Sequence, residues 1–112
     1  MPLISYDEFL QIEICVGTII KAEINNTLKK PSIVLTIDFG KKIGIKKTSA
    51  QLQANYNSKQ LLNKQIAAVI NFPPKQIGPI MSEVLVLGGV KNNGTVRLLK
   101  PDPNCELGSR VG

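Results

Sequence analysis

Apolar positions in this chain fall mostly into short alternating runs, the period expected of strands with one buried face. The longest run puts Ile12, Ile14, Val16, Thr18, Ile20, Ala22 and Ile24 on one parity. Glu13, Cys15, Gly17, Lys21 and Glu23 take the other, interrupted by Ile19. This predicts a long first strand whose first set faces the core and whose Cys15 is partly accessible. Gly17 inside it predicts a bend or bulge. A long strand that curls and serves two sheet edges is what a small closed barrel needs.

Upstream, Ser5 and Glu8 match a capping box, predicting a short helix with Tyr6, Phe9 and Leu10 as an apolar stripe. That stripe closes the bottom of the domain or helps a subunit contact. Ile33, Leu35, Ile37 and Phe39 alternate with Val34, Thr36 and Asp38 as a second strand. Gly40-Lys41-Lys42 reads as a turn, and residues 43–48 as a third strand. Alternation then stops from Ser49 to Gln65, where Ser58 as N-cap and Asn63 as stop suggest a helical turn. Ile66–Ile70 is a continuous apolar strand, followed by a stiff loop from Asn71 to Pro79. Val84–Leu87 is the fifth strand, pairing with Val96–Leu99 through a type I′ turn at Asn93-Gly94. The order matches an all-β, five-stranded Greek-key OB-fold barrel with a short N-terminal helix and a small helical insert. The expected layout is one domain over residues 1–112: a helical, dimer-forming extension at 1–11, the barrel at 12–100 and a C-terminal extension at 101–112.

Charge adds a partner class to this picture. The chain has 14 Lys+Arg against 8 Asp+Glu, a net charge of +6, which points to a polyanion. All but Arg97 and Arg110 of the basic residues are lysines, point charges without a bidentate fork, so backbone or shape recognition is favoured over base reading. With no His there is no Ser-His-Asp or Cys-His nucleophile pair. Cys15 and Cys105 form no CxxC, and are expected to be free and reduced. Asp38 and Glu83 show no pairing suited to acid–base catalysis. No enzymatic activity, cofactor or metal is expected. The N-terminus lacks a signal-peptide pattern, and no apolar run nears the roughly 20 residues needed to span a bilayer. A cytoplasmic protein without membrane insertion is expected.

Two segments carry a family resemblance. Residues 13–23, Glu-Ile-Cys-Val-Gly-Thr-Ile-Ile-Lys-Ala-Glu, resemble the strand that opens the tRNA-binding OB domain appended to methionyl-tRNA synthetases. Residues 71–88, from Asn71-Phe72-Pro73-Pro74 through Gly78-Pro79 to Gly88, with Ile37–Gly40 and Ser49–Gln51, resemble the free-standing CsaA-type members. The resemblance runs from about Ile4 to Asp102. It implies an OB barrel, a homodimer built with the terminal extensions, tRNA binding, and a role as an export chaperone for unfolded or precursor polypeptides. The chain departs from the family pattern in places. Cys15 stands at an Arg position and Ile80 at an aromatic one. Ser82 matches an RNA-contacting Ser, and Leu85 stands where a Met follows it.

The expected tRNA-binding residues are Lys29, Lys30, Lys41, Lys42, Lys46, Lys47, Ser49, Gln51, Lys75 and Ser82. The lysines suit an electrostatic funnel beside the first three strands, and equally the edge charges that keep sheets from aggregating. Lys46 and Lys47 point in opposite directions on a strand, so one of them faces the groove. Ser49 and Gln51 contact RNA, or only end their strand by bonding the backbone. Phe39, Tyr56 and Phe72 read as core or loop anchors, which favours structured RNA over a base-stacking single strand. As an alternative, Phe72, Pro73, Pro74, Ile77, Pro79 and Ile80 line an apolar groove for an extended polypeptide, or simply form a rigid loop. Tyr6, Phe9 and Leu10 are the expected dimer contacts.

Overall fold

The long first strand organises the molecule. The computed structural model describes residues 1–26 and 31–112; Lys29 and Lys30 lie outside the described residues. The elements run α1 (Tyr6–Leu10), β1 (Ile14–Asn25), β2 (Ser32–Asp38), β3 (Ile45–Ala50), α2 (Ser58–Leu61), β4 (Gln65–Val69), β5 (Lys75–Ile77), β6 (Ile80–Ser82), β7 (Leu85–Val86), β8 (Gly88–Val90) and β9 (Val96–Leu98). Five of them form one antiparallel sheet in the order β3-β2-β1-β4-β7. Residues Ile14–Thr18 of β1 pair with β4, and Thr18–Asn25 pair with β2. One strand thus serves two edges, and the sheet curls into an OB-type barrel.

Before residue 20 the inward parity of β1 is the reverse of the sequence expectation, although Val16 is buried as well, on the other face; beyond it Ala22 faces the core with Lys21 and Glu23 outside, as expected. Cys15, Gly17 and Ile19 are buried and Ile20 is exposed. The register slips between Ile19 and Lys21, making Ile20 the extra residue of a bulge. A single inserted residue flips every later side chain to the opposite face. Beyond it Ala22, opposite the buried Leu35, packs on the core. Gly17 has a different task from bending: a Cβ there would lie 2.6 Å from Ile37 Cγ2 and 2.7 Å from Phe39 Cδ1. Its missing side chain lets the Phe39 ring, 1% exposed, fill the barrel centre. Ile14 and Val16 face an outer cleft of about 380 Å³, shared with Ala67, Leu87, Leu99 and Val111.

The core gathers Ile19, Ile33, Leu35, Ile37, Phe39, Leu61 and Ile66. α2 plugs it with Leu61, fully buried. Its cap is Asn57 rather than Ser58, with Gln60 completing a capping box, while Asn63 (φ 65°) ends the turn in the left-handed conformation. The capping box of α1 forms as expected, Ser5 accepting from the Glu8 N–H at 3.1 Å. Three further expectations change. The loop after β4 contains the β5–β6 hairpin, Lys75 pairing with Ser82. Val96–Leu98 pairs with Gly88–Val90, not with Val84–Leu87. Their turn is not type I′: of the Asn93-Gly94 pair only Gly94 has a positive φ, 87°, and its N–H bonds the Lys91 carbonyl at 2.9 Å. That is the bulged form of hairpin loop, with Gly at the left-handed position.

β3 meets the far side of the barrel along a seam made largely by side chains. The Glu83 N–H donates to the Lys47 carbonyl (2.8 Å), and the Lys47 N–H donates to Glu83 Oε1 (3.1 Å). The buried Thr48 hydroxyl donates to the Val84 carbonyl at 2.7 Å. The C-terminal segment then covers β1 on the side β2 leaves open, with Val16 bonded to Gly108 and Ser109 and Val111 to Ile14. Arg110 Nη2 reaches the carbonyl of Leu10 at 2.5 Å. No helix among the described residues is long and apolar enough to cross a membrane.

Candidate nucleic-acid interface

The outward face of β1-β2-β3 follows directly from the register. Lys21 pairs with Thr36, which pairs with Lys47, so the three side chains form one row across the sheet. The next row outward is Glu23, Val34 and Ser49. The tip of the β5–β6 hairpin stands beside both, so that Pro79 and Ile80 share a cleft of about 250 Å³ with Lys21, Glu23, Thr36 and Lys47. Lys46 has the opposite parity. It lies across from the buried Ile37 and its ammonium sits 3.8 Å from the Glu83 carboxylate at the seam. Of the two adjacent lysines, Lys47 is therefore the one on the open face.

A second cleft, of about 350 Å³, opens on the other side of the hairpin. Ser49, Lys75 and Ser82 line it together with Phe72, Pro73 and Ile77. Residues singled out for RNA and residues singled out for polypeptide thus share one cavity. Its two serines are already engaged. The Ser49 hydroxyl donates to Ser32 Oγ at 2.8 Å. Ser82 Oγ accepts from the Ser49 N–H at 3.2 Å and lies 2.9 Å from Thr48 Oγ1. Because Thr48 gives its only hydroxyl hydrogen to Val84, Ser82 is the donor in that pair. Both serines therefore pin the seam, and the charged groups of the cleft are Lys75, exposed at the start of β5, and Glu83, itself engaged at the seam with Lys46 and the Lys47 N–H.

Gln51 lies past β3, exposed, in a neighbouring cleft with Leu52 and Val96. Lys41 and Lys42 are exposed in the turn before β3, at the end of the β2–β3 hairpin opposite to Ser49. Pro74 is exposed and lines none of these clefts. Sequence reasoning missed Lys21 and Thr36. The alternation already set Lys21 on the parity opposite the apolar set, but only the strand register aligns it and Thr36 with Lys47.

Aromatic rings contribute little to this surface. Phe39 is in the core, and the Tyr56 hydroxyl is held by the Leu98 N–H at 3.0 Å. Phe72 is 54% exposed at the rim of the second cleft. Cys15, expected to be partly accessible, is buried in the core, where its thiol cannot stand in for a surface arginine. Burial, reinforced by Glu13 and partly offset by Arg110, pushes that thiol above its ordinary pKa. Both cysteines are free. No cluster of three or more metal-ligating side chains occurs among the described residues.

The apolar stripe of α1 remains largely uncovered, with Tyr6 and Leu10 exposed, Phe9 half-buried, and the Tyr6 and Phe9 rings 6.4 Å apart.

Residues 14–110 match the family model described as a putative tRNA binding domain. Among relatives, the chain is 31% identical to the methionine–tRNA ligase of Methanococcoides burtonii over 97% of its own length, but spans only 16% of that ligase. The match to the Pyrococcus horikoshii ligase, 30% identical, likewise covers 99% of this chain and 15% of the ligase. Among solved structures, chaperone CsaA of Bacillus anthracis superposes with a TM-score of 0.93 at 40% identity, covering 99% of this chain and 100% of that one. The CsaA chaperone protein of Picrophilus torridus gives 0.89 at 45% identity, over 98% and 100% of the two chains. A MetRS-related protein of Pyrococcus horikoshii gives 0.89 at 27% identity, with 100% of both chains covered.

Proposed function

The chain belongs to the tRNA-binding domain family, and from that premise we propose that it is a non-catalytic OB-fold module that binds folded tRNA as a homodimer, by shape and phosphate contacts. The observation that carries this reading is the Lys21-Thr36-Lys47 row on the open face of the sheet, flanked by Lys75 across the β5–β6 hairpin. Lysines spaced over strands and a hairpin suit phosphates held at fixed positions by a folded RNA. Phe72 is the one exposed ring beside these clefts among the described residues, too few for a base-stacking platform of the single-strand kind. Lys41 and Lys42 extend the same charge to the end of the β2–β3 hairpin.

The uncovered α1 stripe and the outer apolar cleft over Ile14 and Val16 support pairing with a second copy. Two copies would double the basic face for one tRNA. Two free thiols suit a reducing cytoplasm.

A second reading has its own observation. The cleft bounded by Phe72, Pro73, Ile77 and Leu85 is apolar at its rim. It would suit an extended, unfolded polypeptide, as in a chaperone of the CsaA type. Titrating folded tRNA and an unfolded precursor peptide across a salt series separates the two. Contact with about four phosphates gives a log–log slope near −3 for tRNA, whereas an apolar groove gives a shallow one. Failure to bind tRNA at low salt would remove the first reading. Peptide affinity indifferent to Phe72→Ala would remove the second.

A further inference from the structure

The basic face carries a built-in competitor for its own ligand. On β1, Lys21 and Glu23 are two residues apart and share one face, with Nζ and Oε1 2.7 Å apart. Both side chains are well exposed, at 65% and 60%. Such a pair adds little to fold stability, and the register gives it no role in the barrel: Glu23 lies opposite Val34, and Lys21 opposite Thr36. Both residues do line the cleft formed with Lys47 and the hairpin tip. Lys47 itself makes no ion pair among the described residues. Its charge acts on the Glu23 carboxylate as well, in the same direction as that of Lys21. Of the two lysines in the row, one is thus neutralised at contact distance and the other stands free about two strand spacings, ~10 Å, away.

Building on the tRNA-binding reading above, we propose that Glu23 is an affinity-limiting gate, holding Lys21 so that an incoming RNA phosphate must displace its carboxylate. The free face therefore presents fewer available cations than its lysines suggest. Its affinity for RNA phosphate is set by this exchange rather than by net charge.

Glu83 offers a contrast. It too faces a lysine, Lys46, but its Oε1 also accepts the Lys47 N–H and so helps close the barrel seam. Replacing Glu83 would perturb the fold together with the charge. Among the described residues Glu23 has no such duty, so its substitution isolates the electrostatic effect.

The test measures folded tRNA binding by the intact chain, by Glu23→Gln, by the charge-matched control Asp7→Asn on α1, and by Glu23→Gln combined with Lys21→Gln. A released Lys21 that gains one phosphate should tighten binding roughly 3–10-fold at about 50 mM salt and steepen the log–log slope by about 0.7–0.9. Asp7→Asn should change affinity less than about twofold, since its charge lies on the terminal helix and is screened over about a Debye length. The double variant should return to wild-type affinity or below. Unchanged affinity in Glu23→Gln, with wild-type binding intact, overturns the gate alone. So does an equal gain in Asp7→Asn, which would mean net charge and not position matters. If the wild-type chain binds no tRNA, both the gate and the functional reading fail.

Discussion

Gly17→Ala puts a methyl group where the barrel has no room for one. An ideal Cβ at this position lies 2.6 Å from Ile37 Cγ2, and 2.7 and 2.8 Å from Phe39 Cδ1 and Cε1. All three contacts are well inside van der Waals distance, and neither neighbour can retreat, since Ile37 is 0% and Phe39 1% exposed. Overpacking a filled core costs about 1–3 kcal/mol. Against that, replacing a mid-strand glycine recovers roughly 0.5–1 kcal/mol of backbone entropy. The clash wins, leaving a net loss of about 1–2 kcal/mol, or a Tm lowered by roughly 4–8 °C per kcal/mol for a domain near this size. Urea unfolding followed by far-ultraviolet circular dichroism measures it. Phe39→Leu supplies the second arm. It removes ring atoms beside Gly17, so the double variant should be less destabilised than the sum of the two single ones, by more than about 0.5 kcal/mol. A Gly17→Ala chain as stable as wild type, or strictly additive losses, would refute the close-approach argument and return Gly17 to a role in bending the strand.

Thr48→Val removes the hydroxyl that bonds the Val84 carbonyl and accepts from Ser82, both at the seam; a loss of about 1–3 kcal/mol is expected, read from urea midpoints, with faster amide exchange at Ser49 and Glu83. Lys47→Gln should reduce the salt slope of tRNA binding by about 0.7–0.9, and Lys46→Gln by less, because Glu83 already partners Lys46; equal slopes in a filter-binding series would contradict the assignment of faces. Cys15 should resist alkylation in the folded chain and react only on unfolding, while half-buried Cys105 is modified first; mass spectrometry of the adducts decides. Because burial raises the Cys15 pKa in the folded state, its neutral thiol is favoured there. That stabilisation is complete below the unfolded-state pKa and lost as pH rises through the folded one. The stability gap between wild type and Cys15→Ala should therefore shrink above about pH 9, which urea midpoints across the alkaline range would detect.

Much of this molecule is legible in the chain because it depends on local periodicity and local bonding. The Ser5–Glu8 capping box, the alternation from Ile33 to Phe39 and the apolar run after Gln65 each report on neighbours within a few residues. So does the excess of lysine over acid, which marks a polyanion's partner wherever the lysines end up. The candidate site was legible only in pieces. Lys47, Lys75 and the Phe72-Pro73 rim are visible as residues, but their meeting around one hairpin needs Lys75 to pair with Ser82 and Ser82 to touch Thr48.

By itself, then, the sequence determined the strand-rich class, the long shared first strand, the basic character and the capping box of α1. Tertiary structure decided which way those strands face. The bulge at Ile20 marks the alternation only as the Ile19-Ile20 doublet, which does not say which way either half of the strand faces, yet it reverses the phase of β1. It thereby sends Cys15 and Ile19 inward before the slip and carries Lys21 onto the row of Lys47 after it. A side chain's parity is a property of strand pairing, and pairing is set by hydrogen bonds to residues far along the chain.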